Sequence, residues 1–253
     1  MLELKLKNGE LLHCEAGTYV HELLQTLPLQ AVVYAVTLDG KLHDLNYRVK
    51  RNAVLDFIYA DSETGKLIYE RSLNFLFIVA VRSLFPDAHV RMEHALSGGQ
   101  YCEIDKQDYC KPQDVRKIER RMKELIAAKE VIHRRVVPTV EAQAYFDRLG
   151  MKNKANLLGC RKSATSSIYT LCGYEDYFYG IMLPDTSYLT HFSIRFYAPG
   201  IWLSANNGFH NQAKLFHVFQ EFEAWGRLIG VSNIAQLNAQ IQQGHMDDLV
   251  LMS

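Results

Sequence analysis

Lys117-Ile118-Glu119-Arg120-Arg121-Met122-Lys123-Glu124-Leu125-Ile126 is the stretch on which the fold turns. Its apolar residues recur every three or four positions, so Ile118, Met122, Leu125 and Ile126, with Val115 before them, predict one face of a helix opened by Pro112 and Asp114. The other face carries Arg116, Lys117, Arg120, Arg121 and Lys123 with Glu119 and Glu124 interleaved. A solvated surface and a phosphate-contacting patch are both open readings of it. Upstream, Val90 to Ile104 has β character interrupted by Ser97-Gly98-Gly99. That tripeptide reads as a hairpin turn or, after His94, as backbone N–H groups brought close to a phosphate. Before it, Leu73, Leu76, Phe77, Ala80 and Leu84 space a second helix, which Pro86-Asp87 stops.

Farther out on the N-terminal side, Leu2, Leu4 and Leu6 alternate with charged residues before Asn8-Gly9, a hairpin signal, and Leu11-Leu12 resume the strand. Thr18 is expected to cap a short helix faced by Val20, Leu23, Leu24 and Leu27. Ala31 to Leu38, closed by Asp39-Gly40, and Val54 to Tyr59 read as strands, giving a β-grasp order. The polar, glycine-bearing run from Ser62 to Lys66 reads as a domain boundary. On the C-terminal side, Pro138-Thr139 starts a helix with Ala142, Tyr145, Phe146 and Leu149 inward and Gly150 as its stop. Strands are expected at Ser166 to Leu171, Tyr174 to Leu183, Tyr188 to Phe196 and Ile201 to Leu203. A long helix with a stripe of Leu215, Phe219, Phe222, Trp225 and Ile229 follows, then a short one capped by Ser232 through Ile234, Leu237 and Ile241. The apolar end, Leu249 to Ser253, reads as a cut.

The chain has 253 residues, with 28 Lys+Arg against 28 Asp+Glu, a balance that excludes whole-surface electrostatic attraction to nucleic acid or anionic membrane. No apolar run reaches the roughly 18 residues a membrane span needs. The opening Met1-Leu2-Glu3-Leu4-Lys5 lacks the order of a signal peptide, so a cytoplasmic chain with no membrane partner is expected. Cysteines stand singly at 14, 102, 110, 160 and 172, which argues against a disulfide framework or a zinc ribbon. Cys102 reads as a buried small residue, and Ser163, Ser166 and Ser167 beside Lys162 lack a nucleophile elbow. His210 and His217, seven apart, are not a metal pair by spacing alone.

The first sixty residues resemble the TGS domain found at the front of threonyl-tRNA synthetases. Leu84-Phe85-Pro86-Asp87-Ala88 and the Lys117–Ile126 stretch resemble the wording of the editing-type second additional domain that follows TGS there and recurs in alanyl-type editing proteins. The fold this implies is α+β: a β-grasp (ubiquitin-like) TGS domain over residues 1–62, an editing-like α+β domain over 67–208, and a helical extension over 209–253. Glu93 to Ile104, Tyr174 to Met182 and Leu215 to Asn233 are also similar to the N-terminal half of bacterial uridine-kinase-like nucleoside kinases. That resemblance implies a non-catalytic regulatory or ligand-binding region ahead of a P-loop kinase domain, which would use ATP and Mg and be its partner. No G-x-x-x-x-G-K-[ST] loop occurs in this chain, so no cofactor is expected in it. The alternative is a metal-free aminoacyl-tRNA editing hydrolase or a threonyl-tRNA-synthetase-related fragment.

The editing family places a His-x-x-x-His pair on the first helix and an Asp-x-Cys-x-x-x-His run later. By that correspondence Arg71 and Phe75 stand at the two histidines, Asp176 at the Asp, Phe178 at the Cys and Met182 at the last His. One carboxylate beside a guanidinium, a phenyl ring and a thioether is no zinc site, so no metal and no catalytic residue is assigned. Arg71 and Asp176 are expected instead to meet as a charge-assisted pair across the relic groove. His94 and Tyr101 would form its polar rim and Tyr177 a stacking surface, for tRNA or a nucleotide. A purely structural plug is the competing reading of the same residues.

Overall fold

Leu4 and Leu6 are buried while Glu3 and Lys5 are exposed, as strand alternation requires, and β1 (Leu2–Leu6) turns at Asn8-Gly9 into β2 (Leu11–Cys14). The computed structural model describes residues 1–29, 31–106, 110–206, 212–231 and 234–244. It divides the chain into two units, Met1–His133 with Tyr169–Phe209, and Arg134–Ile168 with His210–Ser253.

In the first unit, α1 (Val20–Leu24) is a helix of 5 residues. Its N-cap is Tyr19, whose N–H donates to Glu22 Oε2 at 3.0 Å, and not Thr18, whose hydroxyl donates back to the Glu15 carbonyl. β3 (Val33–Leu38), β4 (Lys41–His43) and β5 (Ala53–Tyr59) complete a sheet of order β2-β1-β5-β3-β4. β1 and β5 run parallel and the other neighbours antiparallel, the β-grasp arrangement, over a core that includes Leu4, Val20, Val36, Leu45, Val49 and Leu55.

The expected boundary from Ser62 to Lys66 is the first turn of α2 (Glu63–Leu84). Ser62 caps it by accepting from the Gly65 N–H, and glycine is required there because a Cβ would lie 2.1 Å from the Tyr59 carbonyl oxygen. Polar composition marked a cap, not a linker. From Phe75 to Val81 every residue of α2 is buried, so this is a central helix with no solvent face along those turns. Tyr34 of β3 stacks on Tyr69 of α2 at 5.9 Å, which joins the β-grasp segment to α2 within the unit.

β6 (His89–Leu96) and β7 (Gly99–Asp105) form a hairpin through Ser97 and Gly98, both with positive φ (53° and 70°), as a primed turn requires. α3 (Pro112–Ala127) buries Val115, Ile118, Met122 and Leu125, the predicted face. The second unit then takes the chain through β8 (His133–Pro138), α4 (Thr139–Arg148) and α5 (Lys152–Gly159). Ala142 and Phe146 point inward on α4 as expected, whereas Leu149 is exposed at its C-cap. The unexpected α5 packs against α4, where Gly159 lies beside the Gln143 side-chain amide.

β9 (Thr165–Leu171) begins in the second unit and returns the chain to the first, where β10 (Tyr174–Tyr177) is its neighbour. The expected strand to Leu183 stops at Tyr177, because Gly180 takes φ 94°. The expected strand from Tyr188 starts only at Ser193, since Thr186–Tyr188 forms a 3-10 turn that Asp185 caps. β11 (Ser193–Tyr197) and β12 (Gly200–Ser204) join the hairpin in an antiparallel sheet of order β11-β12-β7-β6. One core of this unit gathers Leu73, Phe75, Leu76, Ile118, Met122, Tyr169, Met182 and Leu203.

In the second unit α6 (Ala213–Leu228) buries Phe216 but leaves Leu215, Phe222 and Trp225 exposed, so the predicted stripe lies rotated off the packed face. α7 (Ile234–Gln242) follows. Ser232, His210 and Leu249 to Ser253 lie outside the described residues. Among the described residues no helix is long and apolar enough to cross a membrane.

Candidate functional site

Arg71 and Phe75 stand four apart on α2 and therefore share one face. Against that face lies the segment after β10, clamped by three hydrogen bonds. Arg71 Nη1 donates to the Ile181 carbonyl, Tyr169 Oη donates to the Gly180 carbonyl at 2.6 Å, and the Leu183 N–H donates to Ser72 Oγ at 2.9 Å. Gly180 takes φ 94°, a conformation that favours glycine, and a Cβ there would sit 2.7 Å from the Arg71 Cζ, so the guanidinium would have to shift. Burial pulls the Arg71 guanidinium below its ordinary range, opposed by the Tyr169 and Tyr179 phenols. A guanidinium starts so high that it stays cationic at neutral pH.

The rings at the next two positions meet. Phe75, fully buried, lies edge-on to Phe178 with centroids 5.3 Å apart and planes at 60°, and Tyr169 lies 6.5 Å from Phe178. Met182 is buried in the same core. Asp176 is buried too, its Oδ1 accepting the Tyr177 N–H at 2.7 Å, and Tyr177 is half-buried at the end of β10. The zinc ion of the editing family does not fit this donor set, in which one carboxylate stands among aromatic rings and a cation. Among the described residues no group of three His, Cys, Asp or Glu side chains is placed to hold a metal ion.

His94 and Tyr101 come together, with ring centroids 5.3 Å apart, but not on the Arg71 side. Cys102 and Ile104 of β7 belong to the core that holds Phe75, and strand alternation turns Tyr101 and Glu103 to the opposite face of the sheet. The expectation that these two residues rim the Arg71 groove is corrected accordingly. On their own face Tyr101 Oη donates to Glu103 Oε1 at 3.0 Å, and Arg91 bonds Glu103, Glu93 and Asp105. Burial pulls the His94 imidazole down, opposed by Glu93 and Glu103.

The remaining candidates are structural. Ser97-Gly98-Gly99 is the hairpin turn; Ser166 bonds Thr139, and Ser167 accepts from Arg134; His217 faces Glu221 on the exposed side of α6. Cys102 is buried, which drives its thiol far above the ordinary range. Sequence reasoning missed Ser72, Tyr169 and Gly180. Only Gly180, a lone glycine inside a strand-like run, left a signal.

The chain is similar to curated threonine–tRNA ligases. With that of Pelobacter propionicus it shares 30% identity over 203 residues, 79% of this chain and 32% of the ligase. With those of Burkholderia lata and Acidovorax ebreus the identities are 30% over 205 residues and 31% over 192, covering 80% and 76% of this chain and 32% and 29% of the ligases. The chain thus spans about a third of the length of the curated relatives it matches, and most of it is a threonine–tRNA-ligase-like region. No family model matches the chain.

Proposed function

We propose that this chain is a non-catalytic binding region, related to threonine–tRNA ligases, whose former editing pocket holds an RNA or nucleotide group without hydrolysing it. The Phe75–Phe178 contact carries this reading. Where the editing wording calls for an imidazole and a thiolate, two phenyl rings fill the space. Hydrolysis needs a metal-bound or base-activated water, and neither ring supplies a lone pair for one. A guanidinium has five N–H donors, and the bond to Ile181 uses one. The others serve a phosphate or carboxylate, with Asp176 as the proposed counter-charge and Tyr177 as the stacking surface. The finer reading, that the region regulates an attached ATP- and Mg-dependent nucleoside kinase domain, rests on the wording of Glu93 to Ile104 and of Leu215 to Asn233. Translating the gene beyond Ser253 tests it.

Binding and hydrolysis are tested together. The chain is expected to leave aminoacyl-tRNA intact at its spontaneous rate and to bind tRNA or nucleotide in an Arg71-dependent way, with Arg71→Ala weakening binding about tenfold or more. Catalysed deacylation overturns the non-catalytic reading, and binding indifferent to Arg71→Ala leaves the residue as a structural plug.

A further inference from the structure

A cleft of about 300 Å³ opens between the last turns of α3 and the segment that leads from the 3-10 turn into β11. Ile126 and Ala127 line it from α3, and Leu189 and Phe192 from the opposite wall. Leu189 is fully buried and Ile126 and Phe192 are half-buried, so the floor is apolar. Ala127 carries only a methyl group and leaves the space beside it open.

Both walls are held in place by the fold itself. Tyr69 Oη donates to the His191 carbonyl at 2.6 Å and accepts the His191 N–H at 2.9 Å, which ties the segment to α2. The Leu189 N–H donates to the Thr186 carbonyl at 3.0 Å, and the Thr186 hydroxyl donates to the Leu125 carbonyl at 2.7 Å, which ties it to α3. The polar main-chain atoms of His191 are thereby engaged, and recognition falls to the side chains at the rim, Lys123, Thr190 and His191. Thr190 Oγ1 lies 2.8 Å from His191 Nδ1, which leaves the ring Nε2 for a ligand. Lys123 Nζ bonds Glu119 Oε1 at 2.5 Å, an exposed pair that occupies one of three ammonium donors. Among the described residues no carboxylate lines the cleft, so the formal charge facing its contents is that of Lys123.

We propose that this cleft binds a small amphipathic monocarboxylate, its apolar body on Leu189, Ile126 and Phe192 and its carboxylate held by Lys123 and His191. Size selects the body. At ~30 Å³ per water the volume is that of about ten waters, and ~300 Å³ is where sites for organic ligands begin. A phenyl ring or branched chain of about that many non-hydrogen atoms fills it. Charge selects the head group, because one ammonium and one imidazole N–H match a single carboxylate and would leave a dianionic phosphate half compensated. The floor excludes polyols, whose hydroxyls would be buried there without partners. Walls already tied to α2 and α3 spare the cost of ordering them on binding. The cleft shares no lining residue with the Arg71 groove, so it stands or falls separately from the function proposed above.

The test titrates 3-phenylpropionate, the uncharged 3-phenylpropan-1-ol and acetate into the whole chain, following the His191 and Phe192 ring resonances. Wild type is expected to bind the acid at millimolar concentration or below with both rings shifting, the alcohol at least about fivefold more weakly, and acetate more weakly still. Lys123→Gln, at an exposed position, should bring the acid down to the level of the alcohol. Ala127→Leu, also at an exposed helix position, fills the cleft and should exclude both, with circular dichroism checking that each variant is folded. Rings that do not shift at millimolar acid, equal binding of acid and alcohol, acetate binding as tightly as the phenyl acid, or an Ala127→Leu chain that binds as wild type does, each overturn the proposal.

Discussion

Phe75→Ala should destabilise the first unit by about 3–5 kcal/mol, the usual cost of emptying a buried phenylalanine site. The structure puts the change at the upper part of that range. Phe75 is fully buried in the middle of α2, between buried Leu73, Leu76 and Val79, and main-chain collapse would have to break the helix. Of the total, about 0.5–1.5 kcal/mol belongs to the edge-on contact with Phe178, and a Phe75→Leu/Phe178→Leu double-mutant cycle isolates that share. Phe178→Ala costs less, because that ring is only half-buried. Urea unfolding followed by the emission of Trp202, wholly buried on β12 of the same unit, reads the loss directly. A Trp225→Phe background removes the second, half-exposed reporter. With a total stability of order 5–15 kcal/mol, a shift of this size moves the midpoint far outside error. A loss under about 1 kcal/mol would refute the reasoning, for it would mean that the Phe75 ring is not packed against Phe178 in the core.

Gly180→Ala should lower stability by about 1–2 kcal/mol or more, through both the positive φ and the clash with the Arg71 guanidinium; an unchanged melting temperature would mean that the segment after β10 is not held against α2. Acid should expose the Lys106–Asp114 pair: burial pushes the Asp114 carboxyl up, but the bond from Lys106 at 2.8 Å and the Lys111 N–H outweigh it and hold it below its ordinary value of 3.8. A depressed carboxyl contributes stability that is present above its unfolded pKa of about 3.9 and is lost as pH falls through the lower folded value. Stability measured from pH 5 to 2 should therefore fall less steeply in Asp114→Asn than in wild type, and parallel curves would dismiss the pair.

The elements that sequence made legible are those with one dominant period. The charged helix α3 showed its buried face through spacing alone, and the Asn8-Gly9 and Ser97-Gly98 turns announced their hairpins through residues that accept positive φ. Ser62 to Lys66 misled because a capping serine and a close-approach glycine have the composition of a linker; only the Tyr59 carbonyl, in three dimensions, tells them apart. The stripe on α6 is genuine as a pattern, yet its members Leu215, Phe222 and Trp225 are exposed while Phe216 is not, so periodicity located a helix without locating its packed face. At the candidate site, the correspondence of residues 71, 75, 176, 178 and 182 comes from the resemblance to the editing family alone, and the structure brings Phe75 and Phe178 of that set into contact. The sidedness of β7, which parts Tyr101 from Arg71, depends on how the sheet lies on its core.

The partner of β7 in the four-stranded sheet, β12, comes some ninety residues later in the chain, after a stretch that belongs to the other unit. At a synthesis rate of roughly 5–20 residues per second, that gap corresponds to about 5–20 s during which a nascent hairpin of β6 and β7 has an open edge. An unpaired edge is a template for another chain. The exposed side of the hairpin carries Arg91, Glu93, Glu103 and Asp105, a dense alternation of charge that a hydrophobic strand from a neighbouring nascent chain would have to desolvate in order to pair there. The ion pairs around Arg91 thus set charge beside the edge of β7 that Gly200 to Ser204 pairs with in the finished sheet.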